Sequence, residues 1–111
     1  MRDAWLLRDG EVLAALEVTE SREERMVGLL KRDGIEGAIL IRPARSVHSV
    51  GMGFAIDVAF CTKDLEVLRT ISLKPGRMTR PCLRGRCVIE AEAGAFDRWN
   101  LRVGDRLEIR E

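Results

Sequence analysis

Alternation of apolar and polar residues is the main pattern along the chain, and it predicts β-strands. In residues 11–18, apolar side chains occupy every second position from Val12 to Val18, which is the period expected of a half-buried strand. Asp9-Gly10 precedes this run and favours a tight two-residue turn, so residues 4–18 are predicted to form a hairpin. Five further apolar runs predict strands over residues 37–42, 56–62, 66–73, 87–92 and 106–110.

One segment, residues 21–32, has the pattern of an α-helix. Ser21 is followed three residues later by Glu24, the spacing of a capping box. Met26, Leu29 and Leu30 then form one apolar stripe, which predicts a helix face that packs on the core. A short helical turn is predicted over residues 94–100, and the proline-containing segment 74–86 is predicted to be a loop.

The order of these elements predicts a mainly β fold with one α-helix, of the α+β class. Strands and helices do not alternate as they do in parallel α/β sheets. We therefore expect a compact, mostly antiparallel sandwich or partial barrel with the helix packed on one side. The length of 111 residues is that of a single domain, residues 1–111.

The composition of the chain argues against several classes of partner. Charged residues make up 33% of the chain, but the net charge is only +1, so the whole chain exerts no strong pull on nucleic acid or on an anionic membrane. No apolar run approaches the roughly 20 residues that span a bilayer, and the first residues lack the pattern of a secretory signal. We expect a cytoplasmic protein without a membrane or nucleic-acid partner; the oligomeric state stays open.

The stretch 47–60 is the most promising for chemistry because it contains the only histidine, His48, together with Met52 and Asp57. It is predicted to be a loop that presents His48 and Met52 at a surface and then becomes a core strand. A histidine beside a carboxylate can transfer protons near neutral pH. The alternative is a hydrogen-bonded histidine at the surface and a carboxylate at a strand edge.

The three cysteines suggest two further kinds of site, a reactive thiolate and a zinc site. An odd, low number of cysteines favours free thiols. Cys82 and Cys87 lie among arginines that would favour a reactive thiolate, which could act as a nucleophile paired with His48. A zinc site would combine Cys82 and Cys87 with Cys61 and His48; the alternative for Cys82 and Cys87 is a hairpin disulfide or two free thiols. The spacing is diagnostic of neither site, so no catalytic residue, metal ligand or cofactor is predicted from it.

A basic run lies in the predicted loop 74–86, which contains five lysine and arginine residues and no acid. Such a loop can bind phosphate or a carboxylated ligand, although it lacks the interleaved aromatic residues on which single-stranded nucleic acid stacks. The alternative is a solvated loop whose charge is balanced by Glu90, Glu92 and the acids of the helix.

Four motifs, in order, resemble those of domain-of-unknown-function family 192, an uncharacterised family of bacteria and archaea. The segment from Thr19 to Leu30 is similar to its Thr-x-x-x-x-Glu-Arg-x-x-Gly-Leu motif. His48-x-x-x-Met52-x-x-x-x-Asp57 is similar to its histidine, methionine and aspartate signature. Ala93-Gly94 and Gly104-Asp105 resemble its closing motifs.

The resemblance implies a β-rich, sandwich-like domain with a helix packed on it, and it implies no established activity. It marks His48, Met52, Asp57, Glu24 and Arg25 as a candidate shared surface. The sequence departs from the family pattern at three positions. Val50 stands where the family often has an aromatic residue, Gly53 where it often has a basic or amide residue, and Ala55 where it usually has proline.

These observations favour a small binding or accessory domain with a shallow cleft around residues 47–57 that takes a small polar or anionic ligand. The expected binding residues are His48, Met52, Asp57, Glu24, Arg25, Arg77 and Arg80. One alternative is an enzyme in which His48 is a general base oriented by Asp57. Another is a protein–protein interaction module without a pocket, which would use an edge strand or an apolar patch around Phe54.

Overall fold

The computed structural model describes residues 1–111 and contains seven strands and two short helices. The strands are β1 (Arg2–Arg8), β2 (Glu11–Val18), β3 (Ala38–Ile41), β4 (Ile56–Cys61), β5 (Val67–Leu73), β6 (Cys87–Glu92) and β7 (Glu108–Arg110); the helices are α1 (Arg22–Val27) and α2 (Ala95–Trp99). The mainly β prediction is confirmed, and the helical turn predicted over residues 94–100 is present as α2, so the fold has two helices and not one. Neither helix is long and apolar enough to cross a membrane.

All seven strands belong to one mixed sheet in the order β5-β4-β6-β3-β2-β1-β7. Neighbouring strands are antiparallel except for β2 and β3, which are parallel. The sheet is not closed, because β5 and β7 remain as its two edges. The structure thus confirms a compact, β-rich domain, whereas the finer prediction of a sandwich or partial barrel is not confirmed.

Buried side chains form a core cluster on each face of the sheet, as the alternation of a pleated strand requires. On β4, Ala59 belongs to the larger cluster of 16 buried residues, and its neighbour Val58 belongs to the other cluster of 10. Phe96 of α2 packs into the larger cluster, and Leu29, just after α1, packs into the smaller one. We call the face of the smaller cluster the α1 face and the opposite one the α2 face.

Helix α1 is shorter than predicted because Gly28 ends it. Ser21 accepts a hydrogen bond from the Glu24 amide at 3.0 Å, which confirms the predicted N-cap. Gly28 adopts a φ of 49° and donates its N–H to the Glu24 carbonyl, a conformation that glycine adopts readily. Leu29 is buried just beyond the helix, whereas Met26 is 69% exposed. The predicted apolar stripe is therefore only partly a core face.

Candidate functional site

Two loops, residues 42–54 and 74–86, are joined side by side on the α1 face. The Ser49 N–H donates to the Arg77 carbonyl and the Thr79 N–H to the Val47 carbonyl, both at 2.8 Å. The Ser49 hydroxyl donates to the Lys74 carbonyl at 2.5 Å and accepts from the Arg77 N–H at 2.9 Å. Ser49 and Thr79 are both buried. These hydrogen bonds fix Val47 and Ser49, the two neighbours of His48 in the chain.

A cavity of about 190 Å³ lies between α1, the loop 42–54 and the sheet. Apolar side chains form most of its walls, among them Leu29, Ile41 and Met52. Four residues with polar side chains also line it: Arg25, Ser46, His48 and Glu90. The cavity thus combines an apolar wall with a small number of polar groups, which is the usual composition of a small-molecule site.

Glu90 is the most unusual of these residues because its carboxyl group is buried without a compensating charge. It lies on β6, directly opposite Ile39 of β3 and Val58 of β4, and is only 4% exposed. Burial alone raises the pKa of Glu90 to about 7, with no hydrogen bond or cation that lowers it. An uncompensated buried carboxyl group destabilises a fold, and such groups occur preferentially at functional sites.

Three of the residues predicted for the site lie at this cavity with Glu90. Met52 is buried in its wall, His48 is exposed, and Arg25 of α1 is half-buried. None of the seven ion pairs in the structure includes Arg25, so its guanidinium group is free to bind a ligand. The helix motif and the histidine–methionine motif therefore converge in space.

Glu24, Arg77 and Arg80 do not line the cavity. The Glu24 carboxylate accepts hydrogen bonds from the Glu20 N–H at 2.7 Å and from the Met1 ammonium group at 2.6 Å, and the ammonium bond lowers the pKa of Glu24. Glu24 thus stabilises the start of α1. The side chains of Arg77 and Arg80 are exposed, although the Arg77 backbone holds the loop beside the cavity.

Asp57 lies on the α2 face, so the predicted His48–Asp57 pair does not form. One Asp57 carboxylate oxygen accepts hydrogen bonds from the Gly94 N–H at 3.0 Å and from the Phe96 N–H at 3.1 Å. Its strand neighbours Ile56 and Val58 point to the α1 face instead. Because consecutive residues of a strand point to opposite faces, Asp57 binds backbone amides at the start of α2 and cannot orient His48.

We expect Asp57→Ala to lower the free energy of unfolding by about 2 kcal/mol, because it leaves two backbone N–H groups at the start of α2 without an acceptor. Asp57→Asn keeps an acceptor oxygen and should lose less. Urea denaturation of the two variants measures both values. Equal stability of Asp57→Ala and the unsubstituted protein would show that the two hydrogen bonds contribute nothing.

The cysteines lie away from the cavity. Cys61 and Cys87 face each other on β4 and β6 and are buried, whereas Cys82 is half-buried in the basic loop; all three are free thiols. The interaction between the neighbouring side chains of Cys61 and Cys87 raises the pKa of Cys61, as burial also does, and lowers the pKa of Cys87. In the structure the Cys87 thiol donates to the Thr62 carbonyl at 3.4 Å. No three histidine, cysteine, aspartate or glutamate side chains are grouped where they could bind a metal ion, so the structure does not assemble the zinc site considered from sequence.

Glu90 is the site residue that sequence reasoning missed. The alternative in which Glu90 is a solvated counter-charge for the basic loop is wrong, because Glu90 is buried and lines the cavity. A signal was present, since Glu90 occupies the middle of the otherwise apolar run Cys87-Val88-Ile89-Glu90-Ala91. A carboxylate is rarely buried without a partner, so its position within an apolar strand is what marks Glu90 as unusual.

Comparisons with known proteins show the family to which this chain belongs. The model of DUF192, described as "Uncharacterized ACR", matches residues 5–109. UPF0127 protein PF1050 of Pyrococcus furiosus is 30% identical over 103 residues, which cover 88% of this chain and 89% of that protein.

Two crystal structures have a similar fold. One is a protein of unknown function from Novosphingobium aromaticivorans, with a TM-score of 0.75, 15% identity, and coverage of 96% of this chain and 83% of the other. The second is described as a candidate transcription regulator from Sinorhizobium meliloti, with a TM-score of 0.78, 18% identity and coverage of 96% and 92%. At these identities the likeness concerns the fold. The family match spans nearly the whole chain, and the chain therefore belongs to the uncharacterised DUF192 family.

Proposed function

We propose that this protein is a small binding domain whose ligand occupies the cavity beside α1 and donates a hydrogen bond to Glu90. The observation that supports this proposal is Glu90, a residue only 4% exposed, which lines the cavity and whose carboxyl group makes no hydrogen bond or ion pair with the protein. A ligand that donates to this group supplies the missing partner. The same interaction makes binding selective, because a molecule without a donor leaves the carboxyl group unsatisfied.

The dimensions and polarity of the cavity limit the ligand. A volume of about 190 Å³ lies below the roughly 300–1,000 Å³ usual for the pockets of drug-sized ligands, so the ligand, or the part that enters the cavity, is small. Its inner end carries an amine or hydroxyl group for Glu90. Its outer end is polar or anionic, because Arg25 and His48 line the same cavity, and its middle contacts Met52, a side chain that adapts to different shapes.

A titration with small probes tests this proposal. Ethanolamine, glycine and glycerol each carry a donor group, whereas acetate carries none when ionised. We expect saturable shifts of backbone NMR signals around Met52 with at least one donor probe and none with acetate. Glu90→Gln should weaken that binding about tenfold, the effect of a lost charge-assisted hydrogen bond.

Glu92→Gln is the matched control because Glu92 lies on the same strand but is exposed and does not line the cavity. It should bind the probe as the unsubstituted protein does. The proposal fails if no donor probe binds, or if Glu90→Gln binds as tightly as Glu92→Gln.

A second candidate function is acid–base catalysis by Glu90. The supporting observation is its pKa of about 7, which suits a group that both accepts and releases a proton at neutral pH. Glu90 takes the place of the His48–Asp57 pair in this hypothesis. Turnover of a bound probe that has a pH midpoint near 7 and is abolished in Glu90→Gln would favour the enzyme over the binding domain, whereas binding without turnover would exclude catalysis of that probe.

A further inference from the structure

Cationic residues are concentrated in the two joined loops, 42–54 and 74–86. These loops contain seven of the 19 lysine and arginine residues and none of the 18 aspartate and glutamate residues, so the rest of the chain has 12 cations against 18 anions, a net charge of −6. The seven are exposed: Arg42, Arg45, Lys74, Arg77, Arg80, Arg84 and Arg86. The small net charge of the chain therefore conceals a strong separation of charge.

No acid of the protein compensates these cations. All seven ion pairs in the structure involve other residues. Glu90, which could have balanced them, is buried. The structure therefore does not contain the internally balanced loop considered from sequence. The Arg86 guanidinium donates to the Leu83 and Gly85 carbonyls, and no carboxylate of the protein pairs with any of the seven cations, which leaves their charge for an external anion.

The same two loops carry exposed apolar side chains. Leu83 is 78%, Met78 is 75% and Val50 is 57% exposed, and none of them lines the cavity. Met78 follows Arg77, and Leu83 precedes Arg84. Beside the loops, Met26 of α1 is 69% exposed. The two joined loops thus carry both apolar and cationic exposed side chains, and we call their exposed surface the basic–apolar face.

Backbone hydrogen bonds make the two loops a single surface. Besides the bonds of Ser49 and Thr79, the Cys82 N–H donates to the Arg45 carbonyl at 2.7 Å, and the Ala44 N–H donates to the Arg86 carbonyl at 3.1 Å. These contacts hold the loops together along most of their length. The exposed apolar side chains are therefore presented by a fixed backbone.

We propose that the basic–apolar face binds the surface of an anionic phospholipid bilayer. Arginine and lysine side chains pair with lipid phosphates, and Met78, Leu83 and Val50 enter the boundary between headgroups and acyl chains. This is the combination of electrostatic attraction and apolar burial that holds peripheral proteins at membranes. A local patch determines this interaction, which the small net charge and the lack of a membrane-spanning run, the grounds for expecting no membrane partner, do not exclude.

The apolar side chains favour a bilayer over a nucleic acid. Arginines alone would suit the phosphates of either partner. A single-stranded nucleic acid, however, stacks its bases on aromatic side chains. Phe54 is the only phenylalanine, tyrosine or tryptophan in the two loops, and it packs against the smaller core cluster. Exposed methionine and leucine gain little against a nucleic-acid backbone but are buried in a bilayer interface.

Co-sedimentation of the full chain with vesicles tests the proposal. The probes are vesicles of phosphatidylcholine alone and vesicles that also contain about 30% phosphatidylglycerol, an anionic lipid. We expect affinity for the anionic vesicles to be at least tenfold higher than for the neutral ones. Binding should disappear in about 1 M salt, where charges are screened over about 3 Å.

Two double variants separate the charged and the apolar contributions. Arg77→Gln with Arg80→Gln, and Met78→Ser with Leu83→Ser, should each weaken vesicle binding at least tenfold. Their matched controls are Arg102→Gln with Arg106→Gln, and Val12→Ser with Val103→Ser, which change exposed residues outside the two loops. Both controls should bind like the unsubstituted protein, and a thermal melt verifies that each variant is folded.

Three results would overturn the proposal. The first is no binding to anionic vesicles, and the second is vesicle binding that is unchanged by Met78→Ser with Leu83→Ser. The third is tighter binding to a DNA duplex than to vesicles at equal salt, which would assign the face to nucleic acid. The test is independent of the proposed ligand site, because Glu90→Gln leaves the basic–apolar face intact and should bind vesicles normally.

Discussion

The unsubstituted protein is expected to lose about 3 kcal/mol of unfolding free energy between pH 4.5 and pH 7 relative to Glu90→Gln. The pKa of Glu90 is about 7 in the folded protein, against an ordinary value of 4.5. Between these values the folded state retains a proton that the unfolded state has released, so stability falls as the pH rises. Each pH unit of such a one-proton difference is worth about 1.4 kcal/mol.

Urea denaturation over this pH range measures the effect as the difference between the two proteins. Glu90→Gln cannot ionise and should lack this part of the pH dependence, whatever constant cost its buried amide brings. Glu92→Gln should keep it, because Glu92 is exposed. Parallel curves for the unsubstituted protein and Glu90→Gln would mean that Glu90 ionises normally, and the main support for the proposed ligand site would be lost.

A bound ligand should reduce this loss of stability. A probe that donates a hydrogen bond to Glu90 binds only the folded state, and such binding raises the unfolding free energy. The gain should be largest above pH 7, where the carboxylate is ionised and accepts the strongest hydrogen bond. Cavity binding and pH-dependent stability are thus two measurements of the same unsatisfied group.

Local sequence signals predicted the elements of the fold well. The Asp9-Gly10 turn has positive φ values of 52° and 79°, as a tight hairpin turn requires, and β1 pairs with β2 as expected. The end of α1 was placed too late because the apolar stripe continues through Leu29, while Gly28 has already left the helical conformation. Periodicity reports which side chains are buried and cannot tell whether the backbone is still helical.

The order of the strands in the sheet could not be predicted from the sequence. The parallel pairing of β2 with β3 joins residues about 20 positions apart, such as Leu16 and Ala38, and nothing local in either strand specifies it. The same limit applies to the site. The stretch 47–60 itself indicates His48 and Met52, and the family resemblance adds Arg25, but the face to which Asp57 points depends on the register of β4 against its neighbours.

The acids that lie near the charges of the basic loop likewise could not be predicted from the sequence. The acid-free composition of the loop was visible in the sequence, but the balance of its charge depended on which acids come near it in space. Glu90 is adjacent on the chain and is buried, whereas Arg32 and Glu17, distant on the chain, form an ion pair at 2.7 Å. Sequence distance therefore could not show that the loop cations lack partners.

The largest single loss of stability is expected for Gly37→Ala, about 4 kcal/mol. Gly37 precedes β3 and has a φ of 80°, which costs a residue with a Cβ atom about 1–2 kcal/mol. In addition, a Cβ atom there would overlap the carbonyl oxygen of Ala15 in β2. A backbone atom within a sheet cannot move aside cheaply, and such overpacking costs about 1–3 kcal/mol.

Two glycine controls resolve these contributions in urea denaturation. Gly10 has nearly the same φ, 79°, with no atom within 4 Å of an added Cβ, so Gly10→Ala measures the conformational strain alone. Gly53 has neither a positive φ nor a neighbour within 4 Å, and Gly53→Ala should be nearly neutral. The excess of Gly37→Ala over Gly10→Ala then measures how closely β3 approaches β2. If the two variants are equally stable, the parallel pairing at the centre of the sheet is looser than the structure has it, and the wall that β3 provides for the cavity, including Ile41, is looser with it.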